Sequence, residues 1–566
     1  MSAGLVALAL DEATGAALAR PGGAVEHLPP GTMYESIAAI EREQSPRWVW
    51  WSAATASTLV AHQVRPARCW DLAAAHRLIV GGWRDDPGRV WATANGLDPD
   101  ATPRRSEPDL FTVVDDVDRG DDAVRPDGHL SPVWVEGTWR ESCDHLAEWA
   151  ALALVAQALQ AERLPYSGAV RTVHSESATS VLCTELEHDG LPVDIATAEH
   201  LIAGFIGPRP TAARDAAASI ERLDRVVFDR LPEDLRSDDG RPPYDLRNPG
   251  QVKSMLRRVG IEVEDTRAWR LESMRDDHPI VDALLQWRKA ERIRTTFGYH
   301  WLDEHVGPDG RLRGRWSGSD GAAGRMTATA GLHNLPAEVR PAIRAEDGNL
   351  FVRADLGQIE PRVLAAISGD AALARATDDP DMYAPVAGQL GVERAVAKVA
   401  VLGAMYGQTT GTGAAALPGL ERAYPVAMDY LRSAADAAAG GNDLRTVGGR
   451  LVRMGGAADD GADARARAAA RARYGRNAMV QGAAAELFKM WAVVVRARCR
   501  RLGATIVLCL HDELLVHAPA ELADDVADAV ADSLTEAAYR WMPSTVGPPV
   551  RFVADIAVIP RWSDAK

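Results

Sequence analysis

The chain has 566 residues, of which 47% are hydrophobic and 25% charged, and a formal net charge of -16. That length predicts three or four domains rather than one core, and no apolar run reaches the roughly 18 residues of a membrane span. The net charge argues against a nucleic-acid partner, but phosphate contacts depend on local basic patches rather than on the total.

The start of the chain, from Met1 to Gly15, is apolar but meets Asp11 and Glu12 early and has no basic opening, which does not fit a signal peptide. Cys69, Cys143, Cys183, Cys499 and Cys509 lack zinc-like spacing and read as buried or incidental thiols in a reducing cytosol. Residues 1–165 are rich in Ala and Trp. A strand-like run, Arg47 to Trp51, and a helical pattern, Asp71 to Val80, predict an α/β domain. Leu97 to Pro132 reads as a long loop whose acidic run, Asp115 to Asp122, lacks the alternation of a calcium loop. From about 180 to 310 the pattern is helical, with one long helix expected over Ile280 to His305.

Residues 311–566 mix strands and helices. Leu350 to Ala354 predicts a strand. Thr505 to Leu510 and Leu514 to Ala518, with His511, Asp512 and Glu513 between them, predict a tight hairpin. Basic patches lie at Arg311, Arg313 and Arg315, which would share one face of a strand, at Arg288, Lys289, Arg292 and Arg294 around Glu291, and from Arg465 to Arg476. Any one of these alone is explained by a solvated surface.

Two aspartates follow strand-like runs. Asp355 closes one and precedes a helical segment, where an N-cap is the commoner explanation; Asp512 lies in the hairpin. On neighbouring strands the pair could hold two divalent ions ~3.5–4 Å apart, the arrangement that stabilises the attacking and leaving oxygens of phosphoryl transfer. Between them, Arg394, Lys398, Leu402 and Tyr406 recur every four residues, one stripe of a helix. Two cations suit a triphosphate and an aromatic suits a base, with Gly403 and Gly407 allowing close approach.

Together these segments resemble the three polymerase motifs of the family A, DNA polymerase I-like enzymes, of the bacterial type that joins a 3′–5′ exonuclease domain to a polymerase. Asp355-x-x-Gln358-Ile359-Glu360-x-Arg362 resembles motif A, Arg394-x3-Lys398-x3-Leu402-x3-Tyr406-Gly407 motif B, and His511-Asp512-Glu513 motif C. Gly324-Arg325 with Asn334 and Pro336 is similar to the segment lining the primer–template minor groove. Arg473, Asn477, Gln481 and Gly482 resemble the helix that tracks the template, and Glu185 to Asp194 with Asn248 to Val252 the start of the thumb. The resemblance spans about residues 180–566.

It implies an α/β exonuclease-like domain (1–170) followed by an α+β right hand: thumb (180–310), palm (311–393 and 477–566) and fingers (394–476). Asp355 and Asp512 would bind two Mg²⁺ ions, for which Mn²⁺ could substitute, with Glu513 close to the metals and primer end. Arg394 and Lys398 would hold the incoming deoxynucleoside triphosphate, Lys398 also serving catalysis, with Gln358, Leu402 and Tyr383 nearby. Glu360 would exclude a ribose 2′-hydroxyl and Tyr406 would stack at the templating position. Arg325, Asn334, Arg473, Asn477, Gln481 and His511 would contact primer–template DNA. A monomer in the bacterial cytosol, without a membrane partner, acting in repair or replication, is the expectation.

Leu402, Tyr383 and Leu356 depart from the aromatic, histidine and tyrosine usual in the family, and the span from Gln408 to Tyr424 is short, so lower efficiency or unusual substrate handling is expected. The N-terminal domain lacks the Asp-x-Glu of an exonuclease strand: adjacent Asp11 and Glu12 would face opposite sides, and Asp71 and Glu148 lie roughly where later metal ligands could fall but are explained as well as ordinary surface acids. A degenerate exonuclease domain is expected, without a 5′-nuclease region. The rivals are a DNA-binding protein without turnover, an active exonuclease–polymerase, and a nuclease acting through the N-terminal domain.

Overall fold

The computed structural model describes residues 4–104, 122–236, 244–321, 323–407, 412–455, 464–542 and 547–565. Two compact units emerge: Met1–Gly190 with Arg315–Ala328 and Asp347–Ile559, and Leu191–Gly314 with Thr329–Glu346 and Pro560–Lys566.

Among the described residues, the first unit contains two large sheets and two small two-stranded ones. In one large sheet, five strands lie in the order Glu26–Leu28, Gly15–Ala19, Leu5–Asp11, Arg47–Trp50, Cys69–Asp71. Leu5–Asp11 runs antiparallel to Gly15–Ala19 and parallel to Arg47–Trp50, which is parallel to Cys69–Asp71. Because successive side chains point to opposite faces, the central strand feeds two cores. Val6, Leu8 and Leu10 pack with Trp48, Trp50, Met33 and Ile37. Ala7 and Ala9 pack with Trp51, Trp91, Trp134 and Trp149. A strand covered on both faces needs an unbroken apolar run, which Leu5 to Leu10 supplies.

The other large sheet has four antiparallel strands in the order Thr505–Cys509, Glu513–Pro519, Asn349–Leu356, Ala554–Ile559. The helices Ala464–Cys499 and Ala523–Trp541 pack against it and each other. Among the described residues, the helical stretch Ala464–Leu502 is long and apolar enough by composition to cross a membrane, contrary to the sequence expectation, but 89% of its apolar window is buried inside the protein. It is a core helix, apolar because it is surrounded.

The second unit is mainly helical, with Ile195–Ile206 and Ala213–Phe228 packed on Pro279–Thr296. The long helix expected over Ile280 to His305 is two, Pro279–Thr296 and Tyr299–His305. Gly298 sits between them in an extended conformation (φ -85°, ψ -163°), after two threonines and a phenylalanine that favour helix weakly. The strand expected to carry Arg311, Arg313 and Arg315 is only Arg311–Leu312. Arg311 pairs with Glu346 and Arg313 with Asp309, both at short range, so neighbouring acids and not a shared strand face organise them. Helix Ala169–Asp189 runs straight through residues 171–179, the expected join between the first two domains. Residues 115–121 of the acidic run, and Gln408 to Gly411 of the short span, lie outside the described residues.

Candidate active site

The central strand Asn349–Leu356 places Asp355 opposite Glu513 on one side and Asp555 on the other. The backbone N–H of Leu356 donates to the Asp512 carbonyl at 2.7 Å, so the hairpin turn carrying Asp512 is fastened beside the end of that strand. Arg353, two residues back and on the same face, donates through Nη2 to Asp355 Oδ2 at 2.7 Å and to Glu513 Oε2 at 3.3 Å, while Nη1 reaches Asp555 at 3.3 Å.

Burial first, and then the Asp512 carboxylate, push the Asp355 carboxyl up to about 6, with Arg353 opposing. Asp512 is raised as well, by burial and by Glu513 and Glu360. Two carboxylates that each resist ionisation beside the other fit a divalent cation, which would relieve both. No group of three or more His, Cys, Asp or Glu side chains among the described residues is arranged for a metal. Two carboxylates suffice for Mg²⁺ where substrate phosphates and water complete the shell.

The helix Arg394–Tyr406 carries Arg394, Lys398, Leu402 and Tyr406 along it, none of them among its buried residues. Arg394 is exposed, forms an ion pair with Asp381, and lies 5.8 Å over the Tyr383 ring. Lys398 is exposed and has no ion-pair partner among the described residues. Leu402 and Tyr406 line a cavity of about 300 Å³ shared with Arg325, Gln358, Glu360, Tyr383, Gln481, His511 and Asp512. Glu360 is clamped from two sides, by the Tyr406 hydroxyl on Oε2 and by Arg325 Nη2 on Oε1, each at 2.7 Å. Tyr383 is buried, its hydroxyl pushed up to about 12 by burial and by Glu360.

Gln358 takes a left-handed backbone conformation (φ 53°) as the helix Ile359–Ser368 begins. Its side chain donates to Asp381 at 2.9 Å and accepts from the Met382 N–H at 3.0 Å. It therefore orients the turn that holds Arg394. Arg362, fully buried, donates to the carbonyls of Gly357, Thr377, Asp379 and Pro380 and fixes the other end of that turn.

Arg473, Asn477 and Gln481 follow one another along Ala464–Cys499. A Cβ at Gly407 (φ +69°) would sit 3.1 Å from the Arg473 side chain, so the glycine makes room for that contact. Asn477 Oδ1 is buried without a hydrogen-bond partner, and Gln481 lines the cavity. Burial and Arg325 hold the His511 imidazole below its usual range. Asn334 belongs to the second unit, where its carbonyl accepts from Arg292 at 2.7 Å; the structure does not bring it together with Arg325 in one unit. Sequence reasoning missed Arg353, Asp381 and Asp555. Arg353 could have been found, since it alternates with Asp355; Asp555 enters only through strand pairing.

The family model of DNA polymerase family A matches residues 246–564, more than half of the chain. The chain belongs to that family. Relatives include a thermostable DNA polymerase I of Thermus thermophilus, 30% identical over 57% of this chain and 39% of that protein. A DNA polymerase I of Chloroflexus aurantiacus is 31% identical over 61% of the chain and 37% of its own length. The chain thus spans under half the length of these relatives. The polymerase domain of Pol1 from M. smegmatis, solved in complex with DNA primer-template and dNTP, shares the fold at a TM-score of 0.66 and 21% identity, over 99% of this chain and 95% of that one.

In this family A chain Asp11 and Asp71 end strands of the N-terminal sheet, Glu12 follows Asp11, and Glu148 lies on the helix Cys143–Glu162. Asp11 accepts from the N–H groups of Ala13 and Thr14 in a turn. Glu12 and Glu148 are exposed. Asp71, expected at the surface, is 1% exposed. It caps the helix Leu72–Val80 at Ala74 N (2.9 Å) and accepts from Ser180 Oγ (2.9 Å) and Trp50 Nε1 (3.2 Å). Its carboxylate thus accepts from three donors within the protein.

Proposed function

We propose that the protein is a DNA-templated DNA polymerase that adds deoxynucleotides to a primer 3′ end. The observation that carries this reading is the closeness of Asp355 and Asp512, with a cavity of about 300 Å³ that Asp512 lines together with Leu402 and Tyr406, the later residues of the helix that also carries Arg394 and Lys398. In the reaction the primer 3′-hydroxyl gives up its proton to water, its oxygen forms a bond to the α-phosphorus, and the bond to pyrophosphate breaks. Lys398 and Arg394 bind the triphosphate, and Lys398 offsets charge growing on the leaving group. Arg394 leaves or shares Asp381 to do so. Asp355 and Asp512 would hold Mg²⁺, which when bound supplies electrostatic stabilisation of the attacking and leaving oxygens. Glu360, fixed by Tyr406 and Arg325, fills the space a ribose 2′-hydroxyl would need.

The N-terminal domain, on this reading, performs no 3′ end removal, since Asp71 is committed to a helix cap and Asp11 to a turn. A monomer working in repair or replication fits the same reading. Primer extension and end degradation of one labelled duplex with Mg²⁺ test both halves. Extension without shortening supports the proposal. Shortening without extension would replace it with a nuclease, and neither activity, with tight duplex binding, with a DNA clamp.

A further inference from the structure

Away from the polymerase cavity and sharing no residue with it, the first unit contains a larger groove of about 660 Å³. Arg47, Arg68, Arg171, Arg498, Arg501 and Arg540 line it, against a single acid, Glu536. In a chain of net charge -16, six guanidinium groups around one carboxylate are a concentrated exception. They come from four separate places: the strand and loop around Arg47 and Arg68, the helix Ala169–Asp189, the end of Ala464–Cys499, and the last turn of Ala523–Trp541. One solvated helix face therefore does not account for them.

Glu536 takes both Arg498 and Arg540, and Arg498 also reaches Asp532, outside the groove lining, at 3.6 Å. No carboxylate among the described residues pairs with Arg47, Arg68, Arg171 or Arg501. Arg47 and Arg68 donate only to carbonyls, those of Cys69 and Ser45. Nearby Glu41 directs its oxygens to Trp48 Nε1 and the Ala67 N–H. Arg47 is half-buried, where an unpaired cation is costly unless an anion meets it. The floor is apolar, from Ala178, Met490, Val493 and Val494. Planar guanidinium forks around an apolar floor match phosphate oxygens attached to a flat, weakly polar body.

We propose that this groove binds the phosphates of nucleotides, either free or within a single DNA strand, as a second site independent of the polymerase cavity. The test uses the full chain carrying Lys398→Ala, in EDTA, so that nucleotide binding at the polymerase cavity is weakened. Two probes are measured: dATP by equilibrium dialysis and a fluorescein-labelled dT12 by anisotropy, each competed with inorganic tripolyphosphate. At least one probe is expected to bind. Arg171→Glu and Arg501→Glu, both at exposed positions, should each weaken that probe about tenfold. If dT12 is the ligand, the double variant should flatten the log affinity against log salt slope by about 1.4, from about 0.7 per lost phosphate contact. Binding of dATP alone identifies a free nucleotide, and binding of dT12 alone a strand. Arg501→Gln, which removes charge without reversing it, guards against a folding defect and should fall between. The proposal is overturned if neither probe binds, or if both charge reversals leave affinity within twofold.

Discussion

The Tyr406 hydroxyl donates to Glu360 Oε2 at 2.7 Å, and Arg325 holds the other oxygen of that carboxylate at 2.7 Å. The residue expected to stack at the template and the residue expected to read the sugar are thus one unit, and disturbing either moves both. Glu360→Ala should relax discrimination against ribonucleotides by roughly 10–200-fold, the range for one small group in a pocket. Tyr406→Phe keeps the ring and loses one hydrogen bond of about 0.5–1.5 kcal/mol, so a several-fold loss is expected. Leu402→Phe should tighten selection unless overpacking intervenes, which costs ~1–3 kcal/mol. Single-turnover incorporation of dATP against ATP opposite template T measures all three; equal ratios in every variant would remove these residues from the sugar pocket.

Asp355→Ala and Asp512→Ala should each abolish nucleotide addition while leaving primer–template affinity within a few-fold, because phosphate contacts elsewhere are untouched. Primer extension beside anisotropy of the same duplex reads both quantities. Near-normal extension by either variant would show that the carboxylate pair is not the catalytic centre.

Asp71 provides a pH test. Burial raises its carboxyl to about 6, against about 3.9 in an unfolded chain. Between those values the folded state binds more protons, so this group lowers stability as pH rises through the window. Asp71→Asn removes the titration. Its melting temperature relative to wild type should therefore climb from pH 4 to pH 7, whatever the offset. The same variant should leave 3′ ends as intact as wild type does; loss of a wild-type shortening activity would restore Asp71 as a nuclease residue.

Lys489 is fully buried, with Nζ 2.5 Å from Glu176 and donating to the Gly324 carbonyl at 2.7 Å and the Gly318 carbonyl at 3.2 Å. It anchors the residue next to Arg325. Lys489→Met leaves part of the Glu176 charge and two carbonyls uncompensated, a loss of about 3 kcal/mol. A lower melting temperature, with slower extension through a displaced Arg325, is the expected result. An unchanged melting temperature would mean that Arg450, 2.7 Å from Glu176, suffices alone.

Motif spacing was enough to identify the family, because Asp355, the Arg394 to Tyr406 stripe and Asp512 each sit at positions dictated by local periodicity. A strand end, a four-residue helical repeat and a hairpin turn are short-range objects, and their residues announce themselves. The α/β character of the N-terminal domain was legible for the same reason, through the strand-like run Arg47 to Trp51 and the helical pattern Asp71 to Val80.

Tertiary structure decided the rest. Asp555 reaches the site only because its strand pairs with Asn349–Leu356 some 200 residues away in sequence (555 against 355). Arg353 became a ligand of three carboxylates only once that sheet formed. Asp71 read as a surface acid because nothing local reveals that Ser180 and Trp50 close over it. The burial of the long apolar helix has the same origin. Local sequence sets which elements can form, whereas dielectric surroundings, charge partners and strand neighbours are set by segments distant in the chain.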